Sequence, residues 1–136
     1  MHLIILLRSA LLLLTGGGFL LAPVAVFAEG DPRLGRLYYR SICTDCHVAQ
    51  IGNGIPPNDR TIAEWRNYLS DDRHAPGSAF ESRVSDYTSQ AHRESIKEHN
   101  LVAQRFLSVS DEQMFANVRA WLVSSAKDSD RPAGCD

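Results

Sequence analysis

The chain is poor in sulfur, with three cysteines and two methionines among 136 residues. Cys43 and Cys46 stand close together, whereas Cys135 lies at the far end. A compact zinc site would want two more Cys or His ligands at similar spacing, and the sequence does not offer them. A basic excess is also missing: 14 Lys and Arg face 16 Asp and Glu, a formal charge of −2 that gives no sign of nucleic-acid binding. Convincing period-two alternation is absent, which removes the usual signature of half-buried strands.

What is present begins with an apolar N-terminus. Arg8 supplies a positive start, Leu11 to Phe27 is mostly apolar, and Val26-Phe27-Ala28 puts small residues where a signal peptidase reads. Residues 1–28 are therefore expected to be a signal peptide cleaved after Ala28, giving an exported, periplasmic protein. The alternative is an uncleaved membrane anchor, since residues 9–28 approach the roughly 20 apolar residues that span a bilayer. Gly16-Gly17-Gly18 and Pro23 weigh against it. Removal of Arg8 with that segment leaves 13 basic against 16 acidic residues, a formal −3, in a chain with room for one core only.

Cys43-Thr44-Asp45-Cys46-His47 is a C-x-x-C-H segment, the pattern of covalent c-type haem attachment. The spacing suits the chemistry: two thiols three positions apart can each add to a haem vinyl group, and the adjacent imidazole then lies near the iron as an axial ligand. A redox dithiol would open a helix after a β-strand. Here a helical periodicity precedes the motif and Gly52-Asn53-Gly54-Ile55-Pro56-Pro57 follows it as a loop. One covalent haem c on Cys43 and Cys46, with His47 as proximal iron ligand, is the expectation. It agrees with the export signal, because c-type haem is joined to the protein only after export.

The remaining sequence reads as helices. Asp31 can cap a first helix with Pro32 in its first turn, and Leu34, Leu37, Tyr38 and Ile42 continue at helical spacing. Thr61 and Glu64 form a capping box ahead of Ile62, Trp65, Tyr68 and Leu69. Asp86 to Phe106 reads as one longer helix with His92, Ile96, His99, Ala103 and Phe106 on a face. Ser110 and Gln113 form another box, with a Val109–Met114 staple and a stripe through Met114, Val118, Trp121 and Leu122.

With Gly35-Arg36-Leu37-Tyr38-Tyr39 ahead of Cys43, the haem motif, the Gly/Pro loop and a terminal helix from Ser110 to Trp121-Leu122, the sequence resembles a class I monohaem c-type cytochrome. The resemblance implies an all-α fold of cytochrome c-like helices wrapped around one haem over residues 29–127; the extended segment between Leu69 and Ser110, before the C-terminal helix, is longer than that fold needs, and residues 128–136 read as an irregular tail. The resemblance also implies that Gly35 and Tyr39 pack near Trp121 or Leu122, and that a post-haem carbonyl such as that of Pro56 accepts a hydrogen bond from His47.

The sequence departs from that family at the distal ligand. The family takes a methionine from the region before the terminal helix, yet no Met lies between Leu69 and Ser110. His74 is favoured instead, because it follows the Trp65–Leu69 helix shortly, where a loop residue can reach the iron. The alternatives are His99, His92, which could equally be ordinary partly solvated histidines, and Met114, which fits core packing better.

The expected function is transfer of single electrons between redox protein partners, a donor and an acceptor, rather than enzymatic catalysis. The sequence contains no repeated C-x-x-C-H, second cofactor motif or obvious catalytic triad. Two other readings stay open: an open-site haem protein that binds or senses a small molecule, and a redox subunit of a larger respiratory assembly. The segment between Leu69 and Ser110 is read either as cover for the haem edge and a docking surface or as a solvated surface helix. Cys135 is left over once both haem thiols are used, so an intermolecular disulfide or an inert terminal thiol are its two readings.

Overall fold

The computed structural model describes residues 29–133. The expected signal or anchor segment, its cleavage point and Cys135 lie outside the described residues. Among those residues the fold is helical, with one isolated bridge between His74 and Ser82, and no helix is long and apolar enough to cross a membrane.

A first helix, α1 (Pro32–Tyr38), begins as its cap dictates: Asp31 accepts from the Arg33 N–H at 2.8 Å, and Pro32 occupies a position whose missing N–H costs nothing. It passes into a π-helical segment, Tyr39–Thr44, and then α2 (Asp45–Ile51), so one bent rod carries the chain into the C-x-x-C-H residues. Gly52 ends it in the left-handed conformation (φ 78°). A short 3-10 turn, Pro57–Asp59, leads to α3 (Ile62–Asp71). There the expected capping box is complete: Thr61 Oγ1 accepts from Glu64 N at 3.1 Å, and Glu64 Oε2 accepts from Thr61 N at 2.7 Å.

The expected single helix from Asp86 to Phe106 is instead three: α4 (Val84–Thr88), α5 (Gln90–Ile96) and α6 (Leu101–Arg105). Ser89 and Asn100 take extended backbone and cap the helices that follow. Asn100 Oδ1 accepts from Val102 and Ala103 N–H, both at 3.0 Å, while its Nδ2 donates to the Ser41 carbonyl at 2.7 Å and ties the segment to the first rod. Nor is the segment merely a solvated surface helix: Thr88, Arg93, Ala103 and Phe106 are buried. Arg93 is fully enclosed, its guanidinium donating to the Thr88 and Val109 carbonyls and approaching Asp111 Oδ1 at 3.3 Å. A planar, permanently charged fork can join elements this way where Lys cannot.

The C-terminal helix, α7 (Asp111–Ser124), starts at Ser110, whose hydroxyl accepts from Gln113 N at 3.2 Å. Gln113 does not close the expected box; it donates to Asn117 Oδ1 at 2.9 Å instead. Met114, Val118 and Leu122 are buried beside Tyr38, Ile42, Trp65, Leu69 and Phe106 in a single core. Past the helix, residues 128–133 are irregular but anchored: Asp128 Oδ1 accepts from Ile62 N at 2.7 Å, and Ala133 N donates to the Ser125 carbonyl at 3.0 Å.

The rod and α7 cross at Gly35. A Cβ there would overlap the Asn117 carbonyl and meet Trp121 Cβ at 3.0 Å, so the backbones approach as only glycine permits. Asn117, buried at this crossing, accepts from the Asp31 N–H at 2.8 Å. Gly35→Ala is therefore expected to destabilise the fold by about 3 kcal/mol, since neither backbone can yield without moving a helix. Urea unfolding of the two proteins measures it.

Candidate functional site

Cys43 falls in the π-helical segment, and Cys46 and His47 in the opening turn of α2. Separations of three and four residues put all three on neighbouring positions of the rod's surface. Cys43 is half-buried at the core edge and Cys46 is exposed. Burial, reinforced by the Cys46 thiol, pushes the Cys43 thiol up to about 12. That is opposite to the lowered values of thiolates that exchange disulfides. Gln50 Nε2 donates to Cys46 Sγ at 3.3 Å, one turn along.

His74 reaches the site from the other direction. α3 ends at Asp72 in the left-handed conformation (φ 49°), and Ala75 is also left-handed (φ 48°), so the chain reverses sharply on both sides of the histidine. The resulting loop is tied at its base. His74 N donates to the Ser82 carbonyl at 2.7 Å and Ser82 N to the His74 carbonyl at 3.1 Å. Arg73 pairs with Glu81 at 2.5 Å, and Glu81 also accepts from Gly77 N at 2.8 Å.

Asp72 joins this loop to α4, accepting from Ser85 N at 2.7 Å, Ser85 Oγ at 2.6 Å and Arg83 Nε at 2.8 Å. Partial burial opposes ionisation of Asp72, but the two Ser85 donors and Arg83 outweigh it and hold the carboxyl below its ordinary range. Because the native group titrates below the unfolded one, its contribution is present above about pH 4 and is lost as the pH falls through the native value. Asp72→Asn should thus be less stable than wild type at pH 7, with a smaller gap at pH 3. Urea midpoints at the two pH values report it.

His47 and His74, 27 positions apart, meet with their Nε2 atoms 3.4 Å apart and their ring centroids at 5.5 Å. His74 is also flanked by the Tyr87 ring at 4.8 Å. Burial, and secondarily the facing His47, lowers the His74 pKa and favours the neutral imidazole that can ligate a metal. Two imidazole nitrogens on opposite sides of one ion stand about 4 Å apart at ordinary metal–nitrogen lengths, so a small outward shift of the His74 loop would accommodate one. Among the described residues no group of three or more His, Cys, Asp or Glu side chains gathers to hold a metal ion. Two facing imidazoles on the element that carries two thiols and on a loop opposite it would suit a group that brings its own further ligands. His74 Nδ1 is buried without a hydrogen-bond partner.

The other candidate ligands stand elsewhere. His99 is exposed in the turn after α5, Met114 is fully buried in the core, and half-buried His92 packs against Tyr87 at a ring separation of 5.4 Å. The expected bond from His47 to the Pro56 carbonyl does not form: Pro56 accepts from Asp59 N at 3.1 Å, while the neighbouring Ile55 and Pro57 carbonyls accept from Tyr39 Oη and Trp65 Nε1, both at 2.6 Å. The loop's carbonyls thus fasten it to the core. Sequence reasoning missed Tyr87, whose backbone carbonyl also accepts from the buried Tyr38 Oη at 2.7 Å; its place four residues before Ala91 in a mixed polar run carries no signal of this role.

Comparison of the chain with protein-family models, with curated proteins and with solved structures gives no match.

Proposed function

We propose that this chain is an exported monohaem c-type cytochrome that carries single electrons between a donor and an acceptor protein. The observation that carries the reading is the approach of His74 Nε2 to His47 Nε2, beside the paired thiols of a C-x-x-C-H segment. In this reading Cys43 and Cys46 hold one haem through thioethers, and His47 and His74 are the axial ligands. The group, when bound, supplies an iron that cycles between two oxidation states one electron apart.

The chain's own part is to hold and to insulate. The rod fixes Cys43, Cys46 and His47 on one surface, and its crossing with α7 at Gly35 keeps that surface rigid. The bridged loop presents His74, and its neutral state leaves a nitrogen lone pair available as a ligand. With His47 and His74 both ligating the iron, no substrate would need to bond to the metal, which would favour electron transfer over catalysis or gas sensing.

Absorption and EPR spectra of the exported protein in both oxidation states, with and without CO, test the proposal. Low-spin spectra of a bis-histidine type, unchanged by CO, are expected; a high-spin form that takes up CO at once would replace it by the open-site reading.

A further inference from the structure

Beside the crossing of the rod and α7 lies a second concavity of about 850 Å³, lined by none of Cys43, Cys46, His47 or His74. Its volume falls within the roughly 300–1,000 Å³ usual for small-molecule sites. Arg33, Arg36 and Arg40 line it from the rod, and Arg131 from the anchored irregular segment beyond α7. The spacing of three and four residues stacks the first three on one helical stripe. Asp59 is the one carboxylate in the lining.

Among the described residues these charges are not matched by a paired carboxylate: no ion pair uses Arg33, Arg36, Arg40 or Arg131. Arg36 is held instead with its guanidinium over the Trp121 ring, 5.4 Å from the centroid. Trp121 itself lines the cleft, and its Nε1 is buried with no hydrogen-bond partner. A concave surface thus gathers guanidinium donors from two parts of the chain, in a protein whose formal charge is negative. General basicity does not account for it.

We propose that this cleft binds a small multivalent oxyanion, a molecule with two or more carboxylate or phosphate groups. Guanidinium forks bond such groups bidentately, and forks entering from two elements can grip separated anionic groups at once. The proposal does not depend on the haem reading, because the cleft shares no residue with that site.

Isothermal titration of the exported protein with citrate and, separately, with pyrophosphate tests it in low-salt buffer. Saturable one-to-one binding of either probe is expected, and the stronger one identifies carboxylate or phosphate as the preferred group. Arg33→Gln/Arg131→Gln should weaken it by about tenfold or more, since each removes a charge-assisted bond from an exposed position that the fold does not need. Arg105→Gln/Arg119→Gln, which removes the same charge outside the cleft, should leave it within about twofold. Absence of saturable binding to both probes overturns the proposal, as does equal weakening by the two double variants. Binding of a hexaglutamate peptide with no response to either small anion also overturns it, and assigns the cleft to an acidic protein partner.

Discussion

Cys43→Ala/Cys46→Ala, expressed in a host with working haem attachment, should be exported as a chain with no added haem mass, while wild type carries one haem per chain. Each thioether needs its own thiol, so neither bond can form in the double variant. The single variants should differ. Cys46 is exposed and Cys43 half-buried, so Cys46→Ala leaves only the less accessible sulfur. Attachment should therefore fall further in Cys46→Ala than in Cys43→Ala. Intact-mass spectra of the exported proteins measure all three, and a wild-type chain without haem mass would remove the premise of the proposed function.

The same fold is expected to feel these changes differently from Gly35→Ala. Cys43 borders the core and Cys46 is exposed, whereas Gly35 sits where two backbones touch. Loss of haem from the cysteine variants need not unfold the helices directly, but a bound group that favours the native chain adds to its stability by mass action or by covalent restraint. A drop in the unfolding midpoint of the double variant, with far-ultraviolet helicity retained, is the pattern that separates the two effects.

Local features were the legible ones. Asp31-Pro32, Thr61 with Glu64, and Ser110 each mark a helix start through hydrogen bonds that close within three residues, and a short window contains all of the physics. Gly35 and Trp121 were readable through the family resemblance, and the structure does bring them together. The break at Asn100 was hidden because the apolar periodicity from Ile96 to Phe106 continues across it. Asn100 breaks the helix partly through its bond to the Ser41 carbonyl, 59 residues away, which no window includes.

Buried polar groups were the least legible. Arg93 sits at full burial because the Thr88 and Val109 carbonyls need a donor, and Asn117 because the Asp31 N–H needs an acceptor. From sequence alone a charged residue on a mixed helix reads as solvent-facing. The π-helical turn at Tyr39–Thr44 was equally hidden, although such turns occur often at functional sites and this one holds Cys43. At the candidate site, the position of His74 after a helix was visible, but the partner across from it was set by the loop's bridge to Ser82.

His74→Ala should turn a low-spin protein into one that is high-spin and binds CO readily when reduced. The substitution removes the imidazole while the two backbone bonds to Ser82, the Arg73–Glu81 pair and the Asp72 anchor all persist, so the loop keeps its course. His92→Ala and His99→Ala should leave the spectrum as it is, because His92 faces Tyr87 and His99 is exposed. His74→Met should restore a low-spin form with a higher reduction potential than wild type, since a thioether ligand raises the potential relative to an imidazole. Absorption spectra, CO titration and potentiometry of the four variants are the measurements. A His74→Ala protein with an unchanged low-spin spectrum would show that another residue completes the coordination, and His92 or His99, whichever variant then becomes high-spin, would take the role.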